Sequence, residues 1–344
     1  MIKQTILLLP LLMAACLFSP QTPFEPEYSI ESFQIAWEQH EALYPLFIYK
    51  GIDWVEICRE FYPMAAEADN QEELLLVLSD MIAVLEDPAL FIFSMEGDTL
   101  FPYTRQLSSN VNMDVLMENY LQPNAYAGNV QGFGWCDPAV FPYAYFNSFP
   151  TITDTLGVQA YDAFIEQCVA LRLPAVILDI RMNPSGAPGG FSNFDQLVMS
   201  RLVTKAKVSA VYRVRTGPEY DQYQDWHPWI QPAGSNQYDG TIYLLTGGGC
   251  TQAAEDMAVN LSYFTNVTLI GDTTAGSITV TQTVILPGEP QWLLKIGTGT
   301  VLSHDFQWIE GVGIAPDYYV EATEADFTSG VDPVLEFAMN MLAQ

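Results

Sequence analysis

The chain has 344 residues, 41 of them acidic and 12 basic, for a formal net charge of −29. Nucleic-acid binding needs clustered Lys and Arg, and docking on anionic lipid needs a basic face, so this balance argues against both. The 49% of hydrophobic residues is enough to bury a sizeable core in one large domain or two smaller ones.

Residues 1–16 read as a secretion signal: Lys3 supplies the positive end, Ile6 to Met13 the apolar stretch, and Met13-Ala14-Ala15-Cys16 the cleavage site. Small residues ending at a Cys resemble a bacterial lipobox, so Cys16 is the expected lipidated N-terminus of the mature chain. The apolar run is too short to span a bilayer, so membrane association is expected only through that anchor. The implied location is a bacterial cell envelope, outside the cytoplasm. Residues 17–29 carry Pro20, Pro23 and Pro26 with little apolar periodicity and read as a tether.

Residues 30–90 are helical in pattern and read as a small N-terminal bundle. Phe33 and Trp37 mark one stripe, Trp54, Val55 and Cys58 a second, and Leu74, Leu75, Leu78, Ile82 and Leu85 a third, with Pro45 and Pro63 as punctuation. Residues 91–135 are an irregular connector, with a helix expected over Met113 to Leu121 and hairpins or loops elsewhere.

Residues 136–344 form the third region, where strands and helices alternate from Pro142. Strands are expected at Tyr143 to Phe149, Ala175 to Ile180, Val208 to Arg215, Thr241 to Thr246, Val267 to Ile270, Thr279 to Leu286, Gln291 to Ile296 and Thr300 to Leu302. Helices are expected at Asp154 to Leu171, Asn193 to Leu202 and Asp332 to Leu342. Alternation of this kind implies a mostly parallel sheet with ligand sites beyond strand C-terminal ends.

The centre of this region is Thr241 to Leu261. A buried strand runs into Gly247-Gly248-Gly249, and Thr251 reads as the N-cap of the helix that follows. Strand, glycine turn and helix lift one residue to a helix N-terminus, where free N–H groups stabilise an anion. A hydrolase of this design would put its nucleophile there, and this chain has Cys250, Thr251 and Gln252. A helix N-terminus would lower the pKa of Cys250 and favour its thiolate.

Cys58, Cys136, Cys168 and Cys250 show no CxxC pair and no metal-ligand spacing, and most are expected as buried free thiols. No metal and no cofactor are expected. Of the three histidines, His40 reads as structural, and His227 lies in an aromatic loop, Tyr220 to Trp229, suited to stacking on a peptide or sugar. His304 lies near the C-terminus and is a possible base for Cys250 or Thr251.

Four segments resemble the tail-specific protease family, the C-terminal processing peptidases with their tricorn-core and retinoid-binding-protein relatives. AVILDIRMNPSG from Ala175 is similar to the family's strand and turn, GGGCTQAAE to its nucleophile turn, LIGDTTAGS from Leu269 to its Ile-Gly-x-x-Thr-x-Gly segment, and IEGVGIAPDYYV from Ile309 to its Gly-x-Gly-Ile-x-Pro-Asp end. The resemblance implies an α/β fold: a crotonase-like sheet-and-helix core (ClpP/crotonase type) with a small N-terminal helical bundle. It also implies serine-type peptidase chemistry on peptide or protein. Carried over residue by residue, it puts Gln252 at the nucleophilic Ser position and Ala89 at the His of a Leu-x-Asp-x-His motif. Ser277 falls at the Lys of the other branch, and the acidic partner is kept as Glu310. Ser185 and Gly186 stand for the oxyanion Gly-Gly, with Ala253 beside the nucleophile position. An amide cannot act as an acyl-transfer nucleophile as serine does, so the expected function is a pseudopeptidase that binds peptide or protein. The alternatives are an active peptidase using Cys250 or Thr251, and a module for carbohydrate or an apolar ligand.

Overall fold

The computed structural model of the chain describes residues 26–104, 109–149, 155–183, 194–235, 237–288 and 290–343. The signal segment with Cys16, the tether through residue 25, and the Ser185-Gly186 turn lie outside the described residues.

The N-terminal helices are α1 (Pro26–Leu43), α2 (Phe47–Lys50), α3 (Trp54–Ala66) and α4 (Gln71–Ala83). Asp53 caps α3 by accepting from Glu56 N–H, and Asn70 caps α4 by accepting from Glu73 N–H. Pro63 lies inside α3 rather than ending it. It sits in the last turn, where its missing N–H frees only the Arg59 carbonyl. His40 is fully buried with Nδ1 at 2.7 Å from Ala36 O, and burial pushes its pKa down to about 4 against that bond.

The strands form two sheets. β1 (Phe91–Ser94) and β2 (Thr99–Leu100) make a hairpin. The helical turns α5 (Met113–Val115), a π-turn over Leu116–Leu121 and a 3₁₀ turn over Gln122–Asn124 follow. Then come β3 (Tyr126–Val130), β4 (Phe133–Cys136), β5 (Tyr143–Phe146), α6 (Thr155–Ala170), β6 (Ala175–Asp179), α7 (Phe194–Ser200), β7 (Lys207–Val214), β8 (His227–Gln231), β9 (Thr241–Thr246) and α8 (Ala253–Leu261). β10 (Val267–Gly271), β11 (Thr279–Leu286), β12 (Trp292–Ser303), β13 (Tyr318–Tyr319), α9 (Glu324–Thr328) and α10 (Pro333–Leu342) complete the chain.

One sheet has the order β13-β10-β9-β6-β5-β4-β3, parallel from β13 to β5 and antiparallel from there. Its central strand β6 is buried at every position, as a strand covered on both faces must be. On one face Tyr161, Phe164 and Cys168 of α6 and Met257 and Leu261 of α8 pack on Val176, Leu178 and Leu244. On the other, Leu116, Leu121, Val334 and Leu335 pack on Ile177, Leu245 and Ile270.

The second sheet, β2-β1-β12-β7-β8 with β11 beside β12, is antiparallel throughout its described pairings. It corrects the expectation of a mostly parallel arrangement. Gln291 to Ile296 and Thr300 to Leu302 are not separate strands. β12 runs unbroken through Gly297 and Gly299, absorbing an irregularity opposite Val280 and Thr281. A Cβ on Gly299 would run into the Arg213 carbonyl 2.5 Å away, so glycine there allows close strand approach rather than a break. His227 to Gln231 is strand β8, not part of an aromatic loop. The N-terminal helices pack on this second sheet, joining Phe33, Trp54, Leu78 and Ile82 to Leu286, Leu294 and Ile296 in one core. The fold is thus mixed α/β with a helical N-terminal region.

The end of β6 is tied to the C-terminal helix by buried charge. Arg181 Nη2 lies 2.7 Å from Asp179 Oδ2 and 2.8 Å from Asp332 Oδ2, with all three side chains fully buried. Asp332 is also the N-cap of α10, accepting from Leu335 N–H. Removing one partner leaves an unbalanced charge in the interior. Asp332→Ala should therefore destabilise the chain by about 3–5 kcal/mol, read from its urea unfolding midpoint.

Candidate active site

β9 ends in a buried core, and the glycines after it allow a backbone approach. A Cβ on Gly249 would overlap the Arg181 carbonyl, and one on Gly247 the Asn110 side chain. The turn is held by Cys250 N–H donating to Gly247 O at 2.9 Å. Cys250 itself is fully buried, and its thiol donates to Ile180 O at 3.2 Å. Burial pushes the thiol pKa up, with Asp179 and Glu255 adding to the rise. This corrects the expectation that a helix N-terminus would favour its thiolate.

Thr251 is not the N-cap of α8. The cap position is Gln252, whose φ of 49° and ψ of −115° are rare for a residue with a side chain. Backbone and side chain of Gln252 both turn to one neighbour: N–H donates to Ser277 O at 2.9 Å, and Nε2 to Ser277 O at 3.0 Å and to Ser277 Oγ at 3.2 Å. The positions assigned to the family's Ser and to the Lys of one branch are therefore in contact, occupied by an amide and a hydroxyl. Ala253 follows as the first residue of α8 and is 5% exposed.

The segment 274–278 is gripped from two sides. From α8, the buried Glu255 carboxylate accepts from Thr274 Oγ1, from Gly276 N–H at 2.6 Å and from Ser277 N–H at 2.5 Å. From the C-terminal motif, Glu310 Oε2 accepts from Ile278 N–H at 3.1 Å, and Gly311 N–H donates to Gly276 O at 2.7 Å. Charge-assisted bonds of this kind fix backbone firmly.

Glu310 also meets the turn that carries Ala89. It is 4% exposed, and burial raises its pKa well above the usual carboxyl range. The Asp87 carboxylate raises it further, Lys50 opposes the shift, Glu255 adds to it, and the Ile278 N–H lowers it. Asp87 accepts from Tyr44 Oη at 3.0 Å and from Ala89 N–H at 3.0 Å. Lys50 Nζ donates to Leu85 O at 2.6 Å and to Glu86 O at 3.2 Å, closing the same turn. Glu310 and the 85–89 turn thus share one corner, in which position 89 carries a methyl group 4% exposed. Sequence reasoning took Asp87 only as a motif marker and passed over Tyr44 and Lys50. The Leu-x-Asp spacing was the available signal for Asp87.

His304 stands elsewhere. Its ring centroid is 3.8 Å from that of Tyr263, and Nδ1 is 4.0 Å from Asp305. The structure does not pair it with Cys250, whose thiol faces Ile180. Among the described residues no cluster of His, Cys, Asp or Glu could hold a metal ion, and no helix is long and apolar enough to cross a membrane.

Comparison with known proteins bears on this arrangement. The pattern that defines Peptidase family S41 matches residues 146–320, about half the chain. This chain belongs to peptidase family S41. The Tricorn protease C1 domain pattern matches residues 30–83 in the N-terminal helices. The fold is similar to that of a candidate peptidase from Parabacteroides merdae, at 21% identity over 93% of this chain and 98% of that one, with a TM-score of 0.74. It is also similar to mature CPAF complexed with lactacystin, at 12% identity over 92% and 98% with a TM-score of 0.62. A lipoprotein from Streptococcus agalactiae is a third likeness, at 17% identity over 99% of both chains with a TM-score of 0.57.

The S41 corner carries a pH signature. Glu310 binds its proton more tightly folded than unfolded, so its contribution is fully present below its ordinary value of 4.5 and is lost as pH rises through the range above it. Glu310→Gln keeps an acceptor for Ile278 N–H and removes the ionisation. The Tm difference between Glu310→Gln and wild type should grow in favour of the variant from about pH 4.5 upward.

Proposed function

We propose that this S41 chain is a pseudopeptidase: an extracytoplasmic, lipid-anchored protein that binds peptide or protein and does not cleave it efficiently. The observation that carries this reading is Gln252 at the nucleophile position, with its amide donated to Ser277 O and Oγ. An amide engaged in this way offers no nucleophilic oxygen for acyl transfer. The base position supports the same reading, because Ala89 has no titratable group and the charge that bears on Glu310 from that turn is the Asp87 carboxylate. Cys250 is buried with its thiol raised, which weakens it as a substitute nucleophile.

The binding role follows from what is kept. The turn at the start of α8 leaves Gly249, Thr251 and Gln252 partly exposed, while the 274–278 segment behind them is buried and fixed. A peptide or protein would be held against these exposed turn residues. The anchor reading rests on Met13-Ala14-Ala15-Cys16, and metabolic labelling with a palmitate analogue should be lost in Cys16→Ala.

Two substitutions test the catalytic reading. Wild type should show no fluorophosphonate labelling and no cleavage of unstructured protein. Gln252→Ser combined with Ala89→His should gain labelling at residue 252. Gln252→Ser alone should label roughly a thousandfold more slowly, because nucleophile and base act as a unit. Cleavage by wild type that disappears in Gln252→Ala, or labelling mapped to Thr251 or Cys250, would overturn the reading.

A further inference from the structure

β12 is paired along both of its sides. β1 pairs with residues 292–295 and β7 with residues 299–303 on one side, and β11 takes the other from residue 292 to residue 300. No strand among the described residues lies beyond β11, so it is an edge of the sheet. Among the described residues its backbone finds hydrogen-bond partners on β12 alone, including the Thr298 hydroxyl that donates to Val280 O. In an antiparallel pair alternate residues aim N–H and C=O away from the partner strand, so every second residue of β11 turns these groups outward.

Edge strands are normally blunted by short length, proline, bulges or charge. The other edges of the two sheets follow that rule. β2 and β13 are two residues each. β8 contains Pro228, which has no N–H, and β3 is interrupted by the irregularity at Gly128. β11 has eight residues, and past its irregularity at Val280 and Thr281 the run Thr-Gln-Thr-Val-Ile-Leu pairs regularly to Leu286. That run holds no charge, no proline and no glycine, in a chain with 41 acidic residues. Val284 and Leu286 pack toward the N-terminal helices, but Gln282 and Thr283 are exposed and Ile285 is 58% exposed.

We propose that β11 takes an extended peptide segment as an additional strand, and that this segment is neutral or basic. Two observations choose the occupant. A second copy of this chain would bring another −29 to the contact, and that repulsion opposes pairing of β11 with itself. β11 also begins directly after the 274–278 segment that Gln252 touches, so a strand added to it lies next to the corner proposed to hold peptide. The ligand class rests on that reading of the corner, whereas the open edge does not. Main-chain bonds to the outward groups supply the affinity, and the field of the chain selects against acidic segments.

Hydrogen exchange on the mature chain tests the assignment with the peptide acetyl-Lys-Thr-Val-Thr-Val-Thr-Val-Lys-amide. The comparison peptide is N-methylated at its four central residues, which removes N–H groups from both of its edges. In the free chain the outward N–H groups within residues 281–286 should exchange freely, and the plain peptide should slow them. The methylated peptide should bind about tenfold more weakly or worse, the worth of the lost backbone bonds, and replacing the terminal Lys residues by Glu should also weaken binding. Slowed exchange confined to residues 249–252 would overturn the β11 assignment and leave the peptide-binding reading of the corner in place. Slowed exchange at 281–286 together with cleavage of the peptide would support the assignment and overturn the pseudopeptidase reading. Absence of binding at millimolar peptide, or equal binding of the methylated peptide, would overturn the proposal. So would protection of 281–286 in the free chain that rises with protein concentration, which would give the edge to a second copy.

Discussion

The guanidinium of Arg181 is the point on which the rest of this structure depends. It is fully buried, and burial alone would lower its pKa. Asp179 and Asp332 outweigh that and hold it well above its usual value. Every arm is used: Nε and Nη2 on Asp179, both terminal nitrogens on Asp332, and Nη1 also on Asn110 O at 2.8 Å. Tyr143 adds a hydroxyl to Asp179 at 2.9 Å. Three distant parts of the chain, at Asn110, Tyr143 and Asp332, are thus fixed to the end of β6. The consequence reaches the site, because Gly249 packs against the Arg181 carbonyl and Gly247 against Asn110. The height and direction of the turn that delivers Gln252 are set by this ion network, not by the turn's own hydrogen bonds alone.

The same architecture explains the rare backbone conformation of Gln252 at the start of α8. A positive φ at a residue with a side chain costs about 1–3 kcal/mol and persists only where surroundings impose it. Here the imposition is explicit. The Gly249 contact fixes the entry, the Gln252 N–H bond to Ser277 O fixes the exit, and Glu255 fixes Ser277 itself. The geometry therefore does not depend on a serine being present. Gln252 adds a side-chain tie to Ser277 that reinforces the turn.

How much of this was legible in the sequence depended on whether the signal was local. The stripes of Leu74, Leu75, Leu78 and Ile82 declared a helix, and the run Ala175 to Ile180 declared a strand, because each pattern is set by its own element. The S41 motifs located the glycine turn and the Glu310 segment for the same reason. Pairing between distant segments was hidden. Nothing near Gly297 or Gly299 says that β12 continues, since glycine reads as a break unless the approach of Arg213 and its strand is known. The Tyr220 to Trp229 aromatics read as a loop because the partner that makes His227 to Gln231 a strand is β7. Cys250 misled in the opposite way: its position at a helix start suggested a thiolate, whereas burial against Ile180 O dominates.

On the proposed reading, the corner around Glu310 links positions 89 and 252. A carboxylate beside an imidazole is stabilised in its charged form by the proton the ring takes up. Position 89 carries a methyl group, and the Asp87 carboxylate, which Tyr44 Oη and Ala89 N–H hold, raises the pKa of Glu310. Burial raises the pKa of Glu310, and its carboxyl oxygen accepts from Ile278 N–H. Placing a serine at residue 252 alone would leave its proton with no acceptor of suitable pKa. Placing a histidine at residue 89 alone would restore the charge balance of Glu310 but face an amide. On the proposed reading the two positions go together, because a serine nucleophile and its imidazole base act as a unit and neither is useful without the other.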